Sequence, residues 1–241
     1  MQVRGYQSTV LVKAQSTDRC RSSHLVRSFV LITSYERNRN IMGDKLNLGV
    51  IIGTTREGRW SPVPAKWIAD LAAQHGGFEV DLIDLLDAEL PQHLAERDMW
   101  STEEDPSESV TKLSERLHRA DAFIVVTGEY NLSIPASLKH AIDYYMNEWA
   151  AKPVSMITYG GKVSGGQNAA QHLRQVFPEL RTMTIRNSIA FPRFFQKFDA
   201  QGNFTGFDEV EPEAKKLLDE LQWWAKALAD ARATTALPKP Y

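Results

Sequence analysis

The chain has 241 residues, of which 43% are hydrophobic and 24% charged, and its formal net charge is −2. This length and composition favour one soluble α/β domain with a sizeable core and a tail, and they weigh against a dedicated nucleic-acid binder, which usually carries a basic stripe. Cys20 is the single cysteine, which rules out an internal disulfide and a cysteine metal cage, and no apolar run approaches the ~20 residues needed to span a bilayer. We therefore expect a cytoplasmic protein with neither a nucleic-acid nor a membrane partner.

Residues 1–41 form a basic arm with seven Lys or Arg residues and two acidic residues. The arm is rich in Arg and Ser, has no clear helical period and ends at Met42. Three interpretations compete: an upstream extension with Met42 as the natural start, a basic targeting peptide, or an arm that binds nucleic acid or a membrane surface. We favour the first, and we expect a disordered N-terminal extension over 1–41 and a folded domain over 42–241.

From Leu46 onward, short apolar runs alternate with helical periods. Strands are predicted at Leu48–Ile52, Phe78–Ile83, Ala122–Val126, Val154–Tyr159 and, more weakly, Thr184–Ala190. Helices are predicted over 62–75, around Val110–Leu117, Leu138–Tyr145 and Ala169–Val176, and over 211–232. Continuous β-branched strands that alternate with helices indicate a three-layer α/β sandwich around a five-stranded parallel sheet. In such sheets ligands bind beyond the carboxyl ends of the strands, so the loops there should hold the site.

The loop after the first strand has the chemistry of a phosphate site. Ser61 suits an N-cap and Pro62 a first helical position, so a helix N-terminus with free N–H groups should face this loop. Thr54 and Ser61 add hydroxyl groups, and Arg56 and Arg59 add charge-assisted donors. An ordinary strand-to-helix turn with solvated charges is the alternative.

Two common nucleotide motifs fit this loop poorly. A Walker A loop would need Lys where Arg59 stands and a hydroxyl where Trp60 stands, and the dinucleotide fingerprint would need Gly at Thr55.

Two further loops should reach the same sheet edge. The third strand is followed by Gly128, Glu129, Tyr130, Asn131 and Ser133, with Pro135 at the start of the next helix. The fourth is followed by the glycine pairs Gly160-Gly161 and Gly165-Gly166, which let a flat ligand approach the backbone closely. Each loop alone is compatible with a surface turn. Together they predict a site for a phosphate and a planar polar ring.

These loops resemble those of the NADPH-dependent FMN reductases, a group that includes quinone, azo-dye and chromate reductases. The resemblance covers roughly residues 46–190. It rests on Gly53-Thr54-x-Arg56-x-x-Arg59-x-Ser61-Pro62, on Glu129-Tyr130-Asn131-x-Ser133-Ile134-Pro135, and on Tyr159-Gly160-Gly161 with Gly165-Gly166. The segment 192–210 lies outside it. The family often has Ser at the position of Thr54 and Pro at that of Gly128, and the bulk of Trp60 is expected to affect access to the site.

The resemblance implies a flavodoxin-like fold, bound FMN, and NADPH or NADH as co-substrate. It implies that Thr54, Arg56, Arg59 and Ser61 hold the FMN phosphate, while Gly128, Glu129, Tyr130, Asn131, Ser133, Gly160 and Gly161 surround the ring. It further implies hydride transfer through FMN to flavin, quinone or another small acceptor in a ping-pong sequence. A homodimer or homotetramer is expected, because Trp223 should face away from the core stripe of the last helix.

No side chain is assigned a catalytic role and no metal site is expected, since the histidines are scattered and no Ser/His/Asp or Cys/His set is visible. Two alternatives stay open at this point. One is a flavodoxin-type FMN electron carrier that does not oxidise NAD(P)H directly, although such carriers are usually strongly acidic. The other is a non-enzymatic binding module.

Overall fold

The computed structural model describes residues 45–94 and 107–238. The predicted extension over 1–41 lies outside the described residues. Six strands are present in them: β1 Leu46–Ile52, β2 Phe78–Asp84, β3 Ala122–Gly128, β4 Pro153–Gly160, β5 Met183–Thr184 and β6 Ile189–Pro192. The helices are α1 Pro62–His75, α2 Glu108–Arg119, α3 Ala136–Asp143, α4 Gln167–Glu179 and α5 Phe207–Thr234, with a short 3₁₀ helix at Phe194–Gln196. Among the helices of these two ranges, none combines the length and the hydropathy that a membrane span requires.

All strand pairs in the sheet are parallel, in the order β2-β1-β3-β4-β5, with β6 also paired to β4. This is the flavodoxin-like strand order. The predicted α/β class, the parallel sheet and the flavodoxin-like fold are therefore confirmed. β1 lies between β2 and β3, so the chain reverses its direction across the sheet at β1 and opens a crevice at the carboxyl ends of β1 and β3.

Alternation along the central strands sends side chains to both faces of the sheet, because successive strand residues point to opposite sides. In β3, Ile124 and Val126 join one apolar cluster, whereas Phe123 and Val125 join the other. The first cluster lies under α1 and α5, and the second under α2, α3 and α4. Both faces are thus covered, which explains why the strands read as continuous apolar runs.

The single fifth strand predicted over Thr184–Ala190 is wrong in detail, because two short strands replace it. β5 and β6 both pair with β4, and the residues between them leave the sheet. The carboxylate of Glu220 accepts hydrogen bonds from the Asn187 N–H (3.1 Å) and the Arg186 N–H (3.4 Å). The Ser155 hydroxyl donates to the Asn187 carbonyl at 2.8 Å. Side chains therefore satisfy the backbone where the ladder is interrupted.

Candidate functional site

A cleft of about 510 Å³ lies at the carboxyl ends of β1, β3 and β4, within the size range of small-molecule and cofactor sites. Its lining residues are Arg56, Glu57, Gly58, Arg59, Trp60, Gly128, Glu129, Tyr130, Asn131, Tyr159, Gly160, Gly161 and Phe194. The three predicted loops thus meet in one cleft, and all predicted site residues line it except Thr54, Ser61 and Ser133. A second cleft of about 630 Å³ beside α2 contains none of these loops.

Thr54 and Ser61 are fully buried and joined in a hydroxyl network. Thr54 Oγ1 donates to Ser61 Oγ at 2.8 Å, and Ser61 Oγ is hydrogen-bonded to Tyr159 OH at 2.9 Å. Burial raises the pKa of Tyr159, so its hydroxyl stays protonated. Tyr159 therefore links two buried hydroxyls to the wall of the cleft, a connection that the sequence did not reveal.

Ser61 occupies the N-cap position of α1, but its side chain makes no capping hydrogen bond. The expectation that Ser61 caps the helix through its side chain is wrong, because its hydroxyl is turned to Thr54 and Tyr159. Pro62 does begin the helix, as predicted. The free N–H groups that were expected at this helix N-terminus are not found, because Pro62 and Pro64 carry no N–H and the Val63 N–H donates to the Trp60 carbonyl at 3.0 Å.

The two arginines of this loop have different surroundings. Arg59 donates to both carboxylate oxygens of Asp84 at 2.6 Å and to the Thr54 carbonyl at 2.5 Å, and its side chain is only 13% exposed. The hydrogen bond to Asp84 raises the pKa of Arg59. Arg56 is exposed at the cleft, and no ion pair or hydrogen bond from another described residue holds its guanidinium. Arg56 is therefore the loop guanidinium that is free to meet an anion.

The loop after β3 is a tight two-residue turn. Tyr130 and Ser133 exchange both backbone hydrogen bonds at 2.9 Å, and the central residues Asn131 and Leu132 have φ values of 51° and 65°. These are the positive φ values of a type I′ turn, which Asn tolerates and Leu rarely adopts. Ser133 is turned away from the cleft, because its hydroxyl is hydrogen-bonded to His172 Nδ1 at 2.8 Å.

Glu129 fastens this turn to α4. Its carboxylate accepts hydrogen bonds from the backbone N–H of Asn168 (3.1 Å) and from Asn168 Nδ2 (3.1 and 3.2 Å). A carboxylate at a helix N-terminus is electrostatically favoured. The Glu129 N–H also donates to the Tyr159 carbonyl at 3.0 Å, so the second and third loops are held together.

The third loop folds back on β4 through glycine. Gly166 has a φ of 89°, and a Cβ there would lie 2.8 Å from the backbone of Tyr159. A Cβ at Gly128 would lie 3.0 Å from the Tyr159 ring. These positions therefore need glycine for close packing of the cleft wall, whereas Gly161 meets only Phe195, at 3.5 Å.

One side of the cleft is aromatic. Trp60 stacks on Phe194 with ring centroids 4.7 Å apart and meets Tyr159 edge-on at 4.9 Å. The indole Nε1 of Trp60 is buried without a hydrogen-bond partner among the described residues. Trp60 thus forms part of the wall. Phe194 was not predicted because it lies in the segment 192–210, which the sequence interpretation placed outside the resemblance, although the density of Phe residues there was a usable signal.

The cleft fits FMN in its donor set. The free guanidinium of Arg56 and the positive end of the α1 dipole suit a phosphate, and a glycine-lined wall beside Tyr130 suits a flat polar ring. Within the described ranges, no group of three or more His, Cys, Asp or Glu residues could hold a metal ion.

Comparison with known proteins agrees with this geometry. The family model of the NADPH-dependent FMN reductases matches residues 46–196. An NAD(P)H-dependent FMN reductase of Schizosaccharomyces pombe is 29% identical over 149 residues, which is 60% of this chain and 72% of the relative. A quinone reductase of Escherichia coli is 32% identical over 148 residues, 60% of this chain and 76% of the relative.

Among solved structures, the flavoenzyme NAD(P)H:(acceptor) oxidoreductase FerB from Paracoccus denitrificans superposes with a TM-score of 0.61 at 25% identity. That match covers 76% of this chain and 98% of FerB. An NADH:FMN oxidoreductase structure, at a TM-score of 0.57 and 15% identity, supports the fold alone. Because the family model spans more than half of the sequence and includes all three loops of the cleft, the chain belongs to the NADPH-dependent FMN reductase family.

Proposed function

We propose that this protein binds FMN in the cleft and uses NAD(P)H to reduce flavin, quinone or a similar small acceptor. The observation that carries the proposal is the convergence of three loops on one cleft, with the free guanidinium of Arg56 in the loop that leads into α1. The names of the relatives support the same reaction class.

In this proposal Arg56 holds the phosphate, near the positive end of the α1 dipole. The turn at Gly128–Asn131 and the backbone of Gly160 and Gly161 would hold the ring. The buried hydrogen bonds of Thr54 and Ser61, which extend to Tyr159, stabilise the phosphate loop. The hydrogen bond between Ser133 and His172 stabilises the turn.

Bound FMN supplies the chemistry, since it accepts hydride and then delivers electrons to an acceptor. The protein's part is to orient the reactants and to place backbone N–H groups near the ring, where negative charge develops. Because both substrates would need the same exposed ring face, they should bind in turn, and initial-rate plots should be parallel. No side chain is required as an indispensable proton donor.

Steady-state oxidation of NADPH by the FMN-loaded protein with a quinone tests the function. We expect sustained turnover that requires both FMN and the quinone. A flavodoxin-type carrier would bind FMN yet give no turnover with NADPH alone as donor, and a binding module would take up no FMN. Either result would overturn the proposal.

The assembly, the compartment and the domain boundary also belong to the proposal. Trp223 is 64% exposed on α5, whereas Ala214, Leu217, Leu218, Leu221 and Ala225 of that helix are buried. A large exposed aromatic side chain supports a homodimer or homotetramer, to be tested by light scattering. The proposal also includes a cytoplasmic location. It further includes a reductase domain over 42–241, for which the extension over 1–41 is dispensable.

A further inference from the structure

A charged residue at the end of β2, which the sequence did not single out, contacts Arg59 in the wall of the cleft. Asp84 is the last residue of β2. Its two carboxylate oxygens accept hydrogen bonds from Nη1 and Nη2 of Arg59, each at 2.6 Å. The same carboxylate accepts a hydrogen bond from the Leu86 N–H at 2.9 Å, so Asp84 is itself held in place. Both side chains are mostly buried, at 13% and 18% exposure.

Arg59 carries this restraint into the phosphate loop. Its Nη1 donates to the Thr54 carbonyl at 2.5 Å, and its backbone N–H donates to the Arg56 carbonyl at 3.2 Å. Arg59 therefore connects the loop to the end of the neighbouring strand, through its guanidinium at Thr54 and through its own backbone at Arg56.

We propose that Arg59 and Asp84 form a latch that positions the phosphate loop, and that Arg59 is a positioning residue and not a direct phosphate ligand. This inference rests on the proposed binding of FMN. From charge repulsion alone, removing the charge of Asp84 would be expected to strengthen the binding of the FMN phosphate. Asp84 is an anion close to an anion site, yet removing its charge should weaken the binding of FMN, because the loop loses its restraint.

The test measures the dissociation constant of FMN for flavin-free protein by flavin fluorescence. Asp84→Asn is isosteric. It should raise the dissociation constant of FMN on the order of 10-fold, which corresponds to the loss of one charge-assisted hydrogen bond. Arg59→Met should weaken it to a similar extent. The double variant should be no weaker than either single variant to within about twofold, because the two residues act as a unit.

Arg59→Lys provides a second, conservative variant. Lysine keeps the charge but has a single donor nitrogen in place of the planar fork, so it cannot pair with both carboxylate oxygens of Asp84 and also bond the Thr54 carbonyl. FMN binding should therefore fall as it does for Arg59→Met. Wild-type affinity in Arg59→Lys would show that charge at the phosphate matters instead.

The ion pair of Arg116 and Asp81 has the same chemistry and is a control away from the cleft, although it is more exposed, at 34% and 40%. Arg116 contacts both carboxylate oxygens of Asp81 (3.0 and 2.5 Å) and also donates to a backbone carbonyl, that of Leu82, at 2.9 Å. Asp81→Asn should leave FMN affinity unchanged. An equal loss in Asp81→Asn would assign the effect to general destabilisation and overturn the latch.

Two further outcomes separate this inference from the proposed function. If Asp84→Asn leaves FMN affinity unchanged or tightens it, the latch is wrong while FMN binding stands. If wild-type protein binds no FMN, the proposed function fails. The latch can then still be tested by hydrogen exchange of backbone amides 54–60 in flavin-free protein. Exchange should be faster in Asp84→Asn than in Asp81→Asn. Equal exchange rates in the two variants would overturn the latch.

Discussion

Arg56 is the residue on which the identity of the anion site rests. Arg56→Ala should weaken FMN binding by roughly 1.5–3 kcal/mol, the usual value of a hydrogen bond to a charged group. Riboflavin lacks the phosphate, so its affinity should change much less. Titration of flavin-free protein with both flavins checks this. Equal losses for the two would mean that Arg56 does not contact the phosphate.

The hydroxyl of Tyr159 completes the network beneath the same loop. Tyr159→Phe keeps the ring contacts with Trp60 and removes one buried hydrogen bond to Ser61. We expect the free energy of unfolding to fall by about 1 kcal/mol and FMN affinity to fall with it.

The control for this variant is Tyr145→Phe. Tyr145 is buried and donates to the Val110 carbonyl at 3.1 Å, outside the cleft lining. In urea unfolding, Tyr145→Phe should lower the free energy of unfolding by a similar amount, and its FMN affinity should stay at the wild-type value. If Tyr159→Phe binds FMN as wild type does, the network plays no part in the site.

Leu132 holds strain at the turn beside the cleft. A leucine with a φ of 65° is disfavoured by about 1–2 kcal/mol, because its Cβ crowds the backbone in the left-handed region. Leu132→Gly should therefore raise the free energy of unfolding by up to about 1 kcal/mol in urea denaturation, despite the entropy cost of glycine. Leu86, similarly exposed but without a positive φ, is the control, and Leu86→Gly should destabilise. A loss of stability in Leu132→Gly would contradict the strain.

At the scale of elements, the far end of the sheet contains a buried cation. Lys152 precedes β4, is 5% exposed, and donates from Nζ to the Leu117 and His118 carbonyls at 2.7 and 2.8 Å. These carbonyls belong to the last turn of α2, where a cation is favoured. Burial nevertheless lowers the pKa of Lys152 to about 7, helped by Arg232 and opposed by Asp121 and Glu148.

This lowered pKa makes stability depend on pH with a definite sign. Below about pH 7 the amine is charged in both states and the folded protein bears the full cost of burying it. Between about 7 and the ordinary value of 10.5, the unfolded chain binds more protons, so stability rises with pH. The free energy of unfolding of wild type minus that of Lys152→Met should therefore increase across this window, by up to about 1.4 kcal/mol per pH unit.

Urea unfolding at several values between pH 6 and 10 measures this difference. Val154→Ala, at a buried position of β4, is the control, because it changes no titratable group and its difference from wild type should not vary with pH. If the difference in the free energy of unfolding between wild type and Lys152→Met is also independent of pH, the lowered pKa of Lys152 is contradicted.

Sequence periodicity predicted most elements because their apolar faces are continuous. α1 was predicted at its observed bounds, since Pro62 begins it and Gly76, with a φ of 85°, ends it. The break between β5 and β6 could not be predicted, because it depends on Glu220 of the distant helix α5. The partner of Arg59 was hidden for the same reason, since Asp84 lies 25 residues away in sequence and on another strand.

At the scale of the whole molecule, strand order explains why the site could be located without knowing side-chain contacts. Parallel strands end at one edge, so loops after β1, β3 and β4 had to meet there. Exposure could not be predicted in this way. Thr54 and Ser61 were expected to face the ligand, but they lie fully buried beneath the loop, because Tyr159 provides them with a partner.

The most direct test of the account is a single-turnover reaction without oxygen. FMN-loaded protein is mixed with one equivalent of NADPH, and the visible flavin absorbance is followed before and after a quinone is added. We expect the oxidised-flavin absorbance to disappear with NADPH alone, with one NADP⁺ formed per flavin, and to return when the quinone is added. A flavin that stays oxidised until the quinone arrives, or a protein that takes up no FMN, would contradict the account.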